Sequence, residues 1–209
     1  LAFDGAGVVA DWGDPCFVPG GYFKRYACGR YIHAPLDALE LMVAEAPVDA
    51  DAVEAIDIDG ISVLAKLDNP APTTSAEARF STPYAVSAFL YLGGAGPDAF
   101  AEQHVADRRI ADLALRVTVK EDPALTARMP EFRPCRVKVR FRDGSVREAA
   151  VERIRGDAKA PHGEEVMRGK FLALAGAAWD DAHALAVLDT LLSVESVDDV
   201  RDIPLATRL

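Results

Sequence analysis

With 209 residues, half of them hydrophobic and 27% charged, the chain has the composition of an ordinary folded protein able to bury a sizeable core. Its net charge of −10 and pI of about 4.9 argue against nucleic acid or an anionic membrane surface as partner. No apolar run approaches the roughly 20 residues that span a bilayer, and the first residues show no charged-then-apolar leader pattern.

Residues 1–21 are rich in Gly, Pro and Asp without a clean period, which predicts a loop or a linker rather than the start of a domain. Leu36, Leu39, Met42, Val43 and Ala46 then recur at helical spacing and predict a helix over 34–46 with Pro35 in its first turn. Residues 51–66 read as β-rich, with Ile56, Ile58, Ile61 and Val63 placed around a turn at Asp59-Gly60. After a Pro/Thr loop, Ser81 or Thr82 caps a helix that opens on Pro83, carries Ala85, Ala88, Phe89 and Leu92 inward, and stops at Gly93-Gly94.

Short helices are expected over 98–104 and 106–115, and a strand over 116–120. The clearest strand is 135–142, with Cys135, Val137, Val139 and Phe141 on one face and Arg136, Lys138, Arg140 and Arg142 on the other. Asp143-Gly144 turns it into a return strand over 146–154, whose weaker alternation suggests a bulge. Helices follow over 163–178, marked by Met167, Phe171 and Leu174, and over 181–193, marked by Leu185, Leu188 and Leu192; Ser196 is read as the cap of a last short helix. The pattern predicts an α+β domain over 22–158, built on an antiparallel sheet with flanking helices, and a helical segment over 159–209.

The residues with the most chemical content stand at 22–37, Tyr-Phe-Lys-Arg-Tyr-Ala-Cys-Gly-Arg-Tyr-Ile-His-Ala-Pro-Leu-Asp. They put Lys24, Arg30 and His33 just ahead of a helix whose first turn carries Pro35. Unpaired N–H groups and the helix dipole favour anions there, so the three suit a small carboxylate ligand. The alternative is a solvated basic loop before a core helix. Cys16, Cys28 and Cys135 form neither a CxxC pair nor an even framework, which fits reduced thiols in a cytoplasm. His104, His162 and His183 stand apart from other ligands, so no metal site is expected. The basic stripe at 136–142 reads as a solvated strand face rather than a nucleic-acid surface.

These residues resemble the MmgE/PrpD family, which includes 2-methylcitrate dehydratase, cis-aconitate decarboxylase and iminodisuccinate epimerase. The resemblance lies in Phe23-Lys24-Arg25-Tyr26 with Cys28-Gly-Arg30-Tyr-Ile-His33-Ala-Pro-Leu-Asp37, in Ala78-Arg-Phe-Ser-Thr-Pro-Tyr84, in Arg142-Asp-Gly144, and in Pro161-His-Gly163 leading to Lys170-Phe171. It covers the chain from residue 22 to about 178.

The resemblance implies the α+β lid domain of a two-domain enzyme, with C-terminal helices that return to an all-helical domain missing here. It implies that Lys24 and Arg30 bind substrate carboxylates, that Lys24 and His33 take part in catalysis, and that Tyr84 approaches the substrate. It further implies a cytoplasmic lyase (dehydratase or decarboxylase) or an epimerase, working on a small di- or tricarboxylate without metal or cofactor. The chain is then expected to pair with a helical domain or with another copy as a dimer, and to be inactive alone; a non-catalytic stand-alone or complementing subunit is the competing expectation. Two departures stand out: Ala27 replaces a common proline, and the run Phe-Pro-Ala-Glu-Phe-His of dehydratase members is absent.

Overall fold

Strict alternation at Cys135-Arg-Val-Lys-Val-Arg-Phe141 fixes the centre of the fold. In the computed structural model, which describes residues 5–10 and 18–204, this strand (Cys135–Phe141) buries Cys135, Val137, Val139 and Phe141 and turns its basic residues outward. The chain divides into two compact units, Leu1–Pro161 and His162–Leu209. The predicted linker is described only in part, and Cys16 lies outside the described residues.

The first unit carries a four-stranded sheet in the spatial order β2-β1-β3-β4: β1 (Val53–Gly60), β2 (Val117–Glu121), β3 (Cys135–Phe141) and β4 (Val146–Val151). The β1–β3 and β3–β4 pairs are antiparallel, as the sequence suggests, whereas β1 and β2 run parallel. That parallel pair needs a long crossover, and residues between the two strands supply it. Within it, helix α2 (Thr82–Leu92) begins at Ser81, whose hydroxyl accepts from the Tyr84 N–H, and ends at Gly93 in the left-handed conformation (φ 72°). Both ends are where Ser-Thr-Pro and Gly-Gly place them. Helix α1 (His33–Glu45) lies against β3 and β4, and α2 packs on α3 (Arg108–Ala114) and β2. One core results, with Ile56 and Ile58 of β1 registered between Val117 and Val119 on one side and Val139 and Val137 on the other.

Three local expectations are corrected. Asp59-Gly60 is not a turn: β1 runs through it, and a short helix, Ser62–Ala65, follows. Gly60 is small for a packing reason, since a Cβ there would sit 2.5 Å from Leu64 Cδ2. The irregularity expected in the return strand falls instead between β1 and β3, where the register shifts between Val53 and Ala55. Ser196 closes a short turn, and Asp199 caps the next one by accepting from the Arg201 N–H. The Asp143-Gly144 hairpin forms as predicted, with Gly144 at φ 84° and Asp143 accepting from the Ser145 N–H at 2.8 Å.

The second unit is a helix pair, α4 (Glu164–Ala175) and α5 (Asp181–Leu192), with Asp180 capping α5. Its buried stripe is Ala184, Val187 and Leu188, and Leu185 and Leu192 of the predicted stripe are exposed. Among the described residues no helix is long and apolar enough to cross a membrane.

Candidate functional site

The segment from Tyr22 to Gly29 has no regular backbone pairing of its own, so its position depends on bonds to distant loops. The N–H of Phe23 donates to the Gly156 carbonyl at 2.9 Å, that of Ala27 to Ala95 at 2.9 Å, and that of Gly29 to Arg79 at 2.8 Å. A single 3-10 turn, Arg30–Ile32, then leads directly into α1, so that Arg30 and His33 fall one turn apart on one continuous helical path.

Arg30 and His33 converge on Tyr22. The Arg30 guanidinium stacks over the Tyr22 ring, 4.2 Å from its centre. The Tyr22 hydroxyl lies 2.7 Å from His33 Nδ1. His33 is fully buried and edge-on to Tyr26, with ring centres 5.1 Å apart. Burial, reinforced by the negative charge of Asp37, pushes the Tyr22 phenol well above its ordinary range. The phenol stays protonated and orients the His33 ring through its contact with Nδ1. Lys24 is exposed on the same segment and donates from Nζ to the Cys28 carbonyl at 3.1 Å.

Two carboxylates frame this cluster. Asp157 Oδ2 accepts from Arg30 Nη2 at 3.1 Å. Asp37, one helical turn beyond His33, is buried and accepts from the Tyr26 hydroxyl at 3.1 Å and from the Arg155 N–H at 3.0 Å. Burial raises its carboxyl above the usual range, against those two hydrogen bonds. Glu40, on the same helix, is gripped by Arg25 at 2.6 Å and Arg155 at 3.3 Å, which commits both cations to structure. The Cys28 thiol is pushed up to about 12 by burial and so stays protonated at neutral pH.

Tyr84 has a different setting. It is 1% exposed, its hydroxyl donates to the Ala99 carbonyl at 2.7 Å, and its ring packs on Phe100. These contacts belong to the packing around α2, and the structure does not join them to the Tyr22 cluster. The outer sheet face also carries cations, over a shallow concavity of about 410 Å³. Each is already neutralised: Arg136 by Asp122 and Asp59, Lys138 by Glu148 at 2.9 Å, and Arg140 by Asp57.

The sequence groups Lys24, Arg30 and His33 and gives no role to Tyr22, Asp37 or Asp157; the structure joins Arg30 and His33 through Tyr22, with Lys24 on the same segment bonded to the Cys28 carbonyl. Tyr22 and Asp37 sit inside the motif quoted above, and Asp37 falls four residues after His33, the spacing that sets two side chains on one helix face. Asp157 is 127 residues from Arg30, and nothing local marks it.

No curated protein matches the sequence closely enough to add to this picture. The sequence model of the MmgE/PrpD C-terminal domain matches residues 26–193, a span that includes Arg30, His33 and Asp37, with Tyr22 and Lys24 just ahead of it. With most of its length matched, the chain belongs to the MmgE/PrpD family, as its C-terminal domain.

Proposed function

We propose that this chain is the lid-domain part of an MmgE/PrpD-type lyase acting on a small di- or tricarboxylate, either by removing a proton next to a carboxylate ahead of loss of water, or by delivering a proton to the carbon that has lost carbon dioxide. The observation that carries the reading is the convergence of Arg30 and His33 on Tyr22. Arg30 is partly exposed and is positioned over the Tyr22 ring, where its guanidinium can meet a carboxylate. There it offsets the negative charge that develops when the neighbouring carbon loses its proton. His33, its ring oriented by Tyr22, acts as proton donor to the developing oxyanion or to a departing hydroxyl. In this assignment the base that accepts the carbon-bound proton comes from the family's helical half. Lys24 adds a second positive charge on the approach to Arg30. Epimerisation shares the first step and differs only in where the proton returns.

The reading is tested with citrate as probe. Citrate binding to the purified chain, followed by calorimetry, is expected to weaken at least about tenfold in Arg30→Gln, since a charge-assisted carboxylate contact contributes about 1.5–3 kcal/mol. The melting temperature is expected to move little, because a partly exposed ion pair contributes at most about 1 kcal/mol. Equal citrate affinity in the two proteins contradicts the reading.

A further inference from the structure

We propose that Asp157 is a built-in competitor for the substrate carboxylate, so that the loop over residues 153–160 latches Arg30 until a ligand displaces it. This rests on the reading of Arg30 as a carboxylate binder and adds a regulatory contact to that site.

The loop is constructed to present one carboxylate at one place. Gly156, at φ 91°, reverses the chain. The reversal is closed by Gly156 N–H to Ala160 O and by Ala160 N–H to Asp157 O, each 2.8 Å. Asp157 Oδ1 accepts from the Lys159 N–H at 3.1 Å, which fixes its side chain and leaves Oδ2 for Arg30. The same loop is tied to the site segment by the Phe23 N–H bond to Gly156 O. The distal partner is therefore held against Arg30 by backbone bonds rather than by a flexible surface side chain. Arg153 Nη1, 3.6 Å from Asp157 Oδ1, adds a second cation that helps hold the Asp157 side chain in place.

The grip on Arg30 is incomplete. Asp157 takes a single guanidinium nitrogen, and the buried Arg30 Nε has no hydrogen-bond partner among the described residues. A guanidinium can hold a carboxylate by two nitrogens, so a ligand that approaches squarely gains a contact the latch does not make. A latch that is closed most of the time lowers apparent ligand affinity by the fraction of molecules that are open.

Asp157→Asn removes the charge but keeps the oxygen that accepts from the Lys159 N–H. Citrate is expected to bind this variant of the purified chain about 3–10-fold more tightly than it binds the unaltered chain. Asp157→Ser, which also keeps a short acceptor for that N–H, is expected to do the same, and Asp157→Glu to restore weak binding. The gain should vanish in Arg30→Gln/Asp157→Asn. Unchanged or weaker citrate binding in Asp157→Asn and Asp157→Ser, with Arg30→Gln still losing affinity, overturns the latch and leaves the carboxylate site standing. Absence of citrate binding in all variants overturns both.

Discussion

Asp37→Ala is expected to destabilise the first unit by about 2–4 kcal/mol, read by chemical denaturation. The loss comes from the partners left behind rather than from the carboxylate. The Tyr26 hydroxyl and the Arg155 N–H both end on Asp37 in a buried place, and each orphaned donor costs about 1–3 kcal/mol. Those two bonds connect α1 to the Tyr22 segment and to the chain beyond β4, so the change also loosens the setting of His33. Asp37→Asn keeps the shape and an acceptor, and is expected to be far milder.

The pair separates charge from hydrogen bonding through pH. The folded carboxyl of Asp37 is raised above its ordinary 3.8, so the folded state holds this proton more tightly than the unfolded state does. Its contribution is fully present below the unfolded value and is lost as pH rises through the folded one. The stability of the unaltered protein relative to Asp37→Asn is therefore expected to fall as pH climbs from about 4 towards neutrality. Acids with lowered values, such as Asp107 and Asp122, slope the other way but are common to both proteins and cancel in the difference. Thermal melts of the two proteins across this range measure it, and a flat or rising difference contradicts the assignment.

The largest expected loss belongs to Tyr84→Ala, about 3–5 kcal/mol, the range for deleting a fully buried aromatic ring. The ring fills core space against Phe100, and its hydroxyl satisfies the Ala99 carbonyl. Tyr84→Phe keeps the ring and gives up one buried hydrogen bond, about 1 kcal/mol. Denaturant midpoints give both values. Citrate affinity is expected to be the same in Tyr84→Phe as in the unaltered chain, because the hydroxyl is already spent on Ala99. A marked loss of affinity with little loss of stability would return Tyr84 to the substrate side.

What the sequence conveyed about the fold depended on how many signals agreed at one point. For β3, alternation, β-branched residues and a following Asp-Gly coincide, and its face assignment holds residue by residue. For α2, cap, proline and terminating glycine coincide as well. Asp59-Gly60 carries the same dipeptide signal as the real hairpin, but β1 continues through it and Gly60 makes room for Leu64 of the short helix that follows, a packing role the dipeptide alone does not distinguish from a turn. In α5, Ala-Leu-Ala-Val-Leu supplies two adjacent apolar stripes. Helical period alone chooses Leu185, Leu188 and Leu192, whereas the structure keeps Leu188 inside and buries Ala184 and Val187 beside it. The Arg30–His33 pairing was legible because both lie within one helical path. The loop carrying Asp157 reaches them only through tertiary packing.

The central claim is that an anionic ligand's carboxylate lands on Arg30 beside Tyr22. The most direct test is a citrate titration of the chain followed by residue-resolved NMR. The account predicts that the largest shifts fall on Tyr22, Phe23, Arg30, His33 and the Gly156-Asp157 turn. Arg136, Lys138 and Arg140 should stay still, since their charges are already taken up by Asp122, Asp57, Asp59 and Glu148. Shifts confined to that outer sheet face, with Arg30 and Tyr22 unmoved, would contradict it.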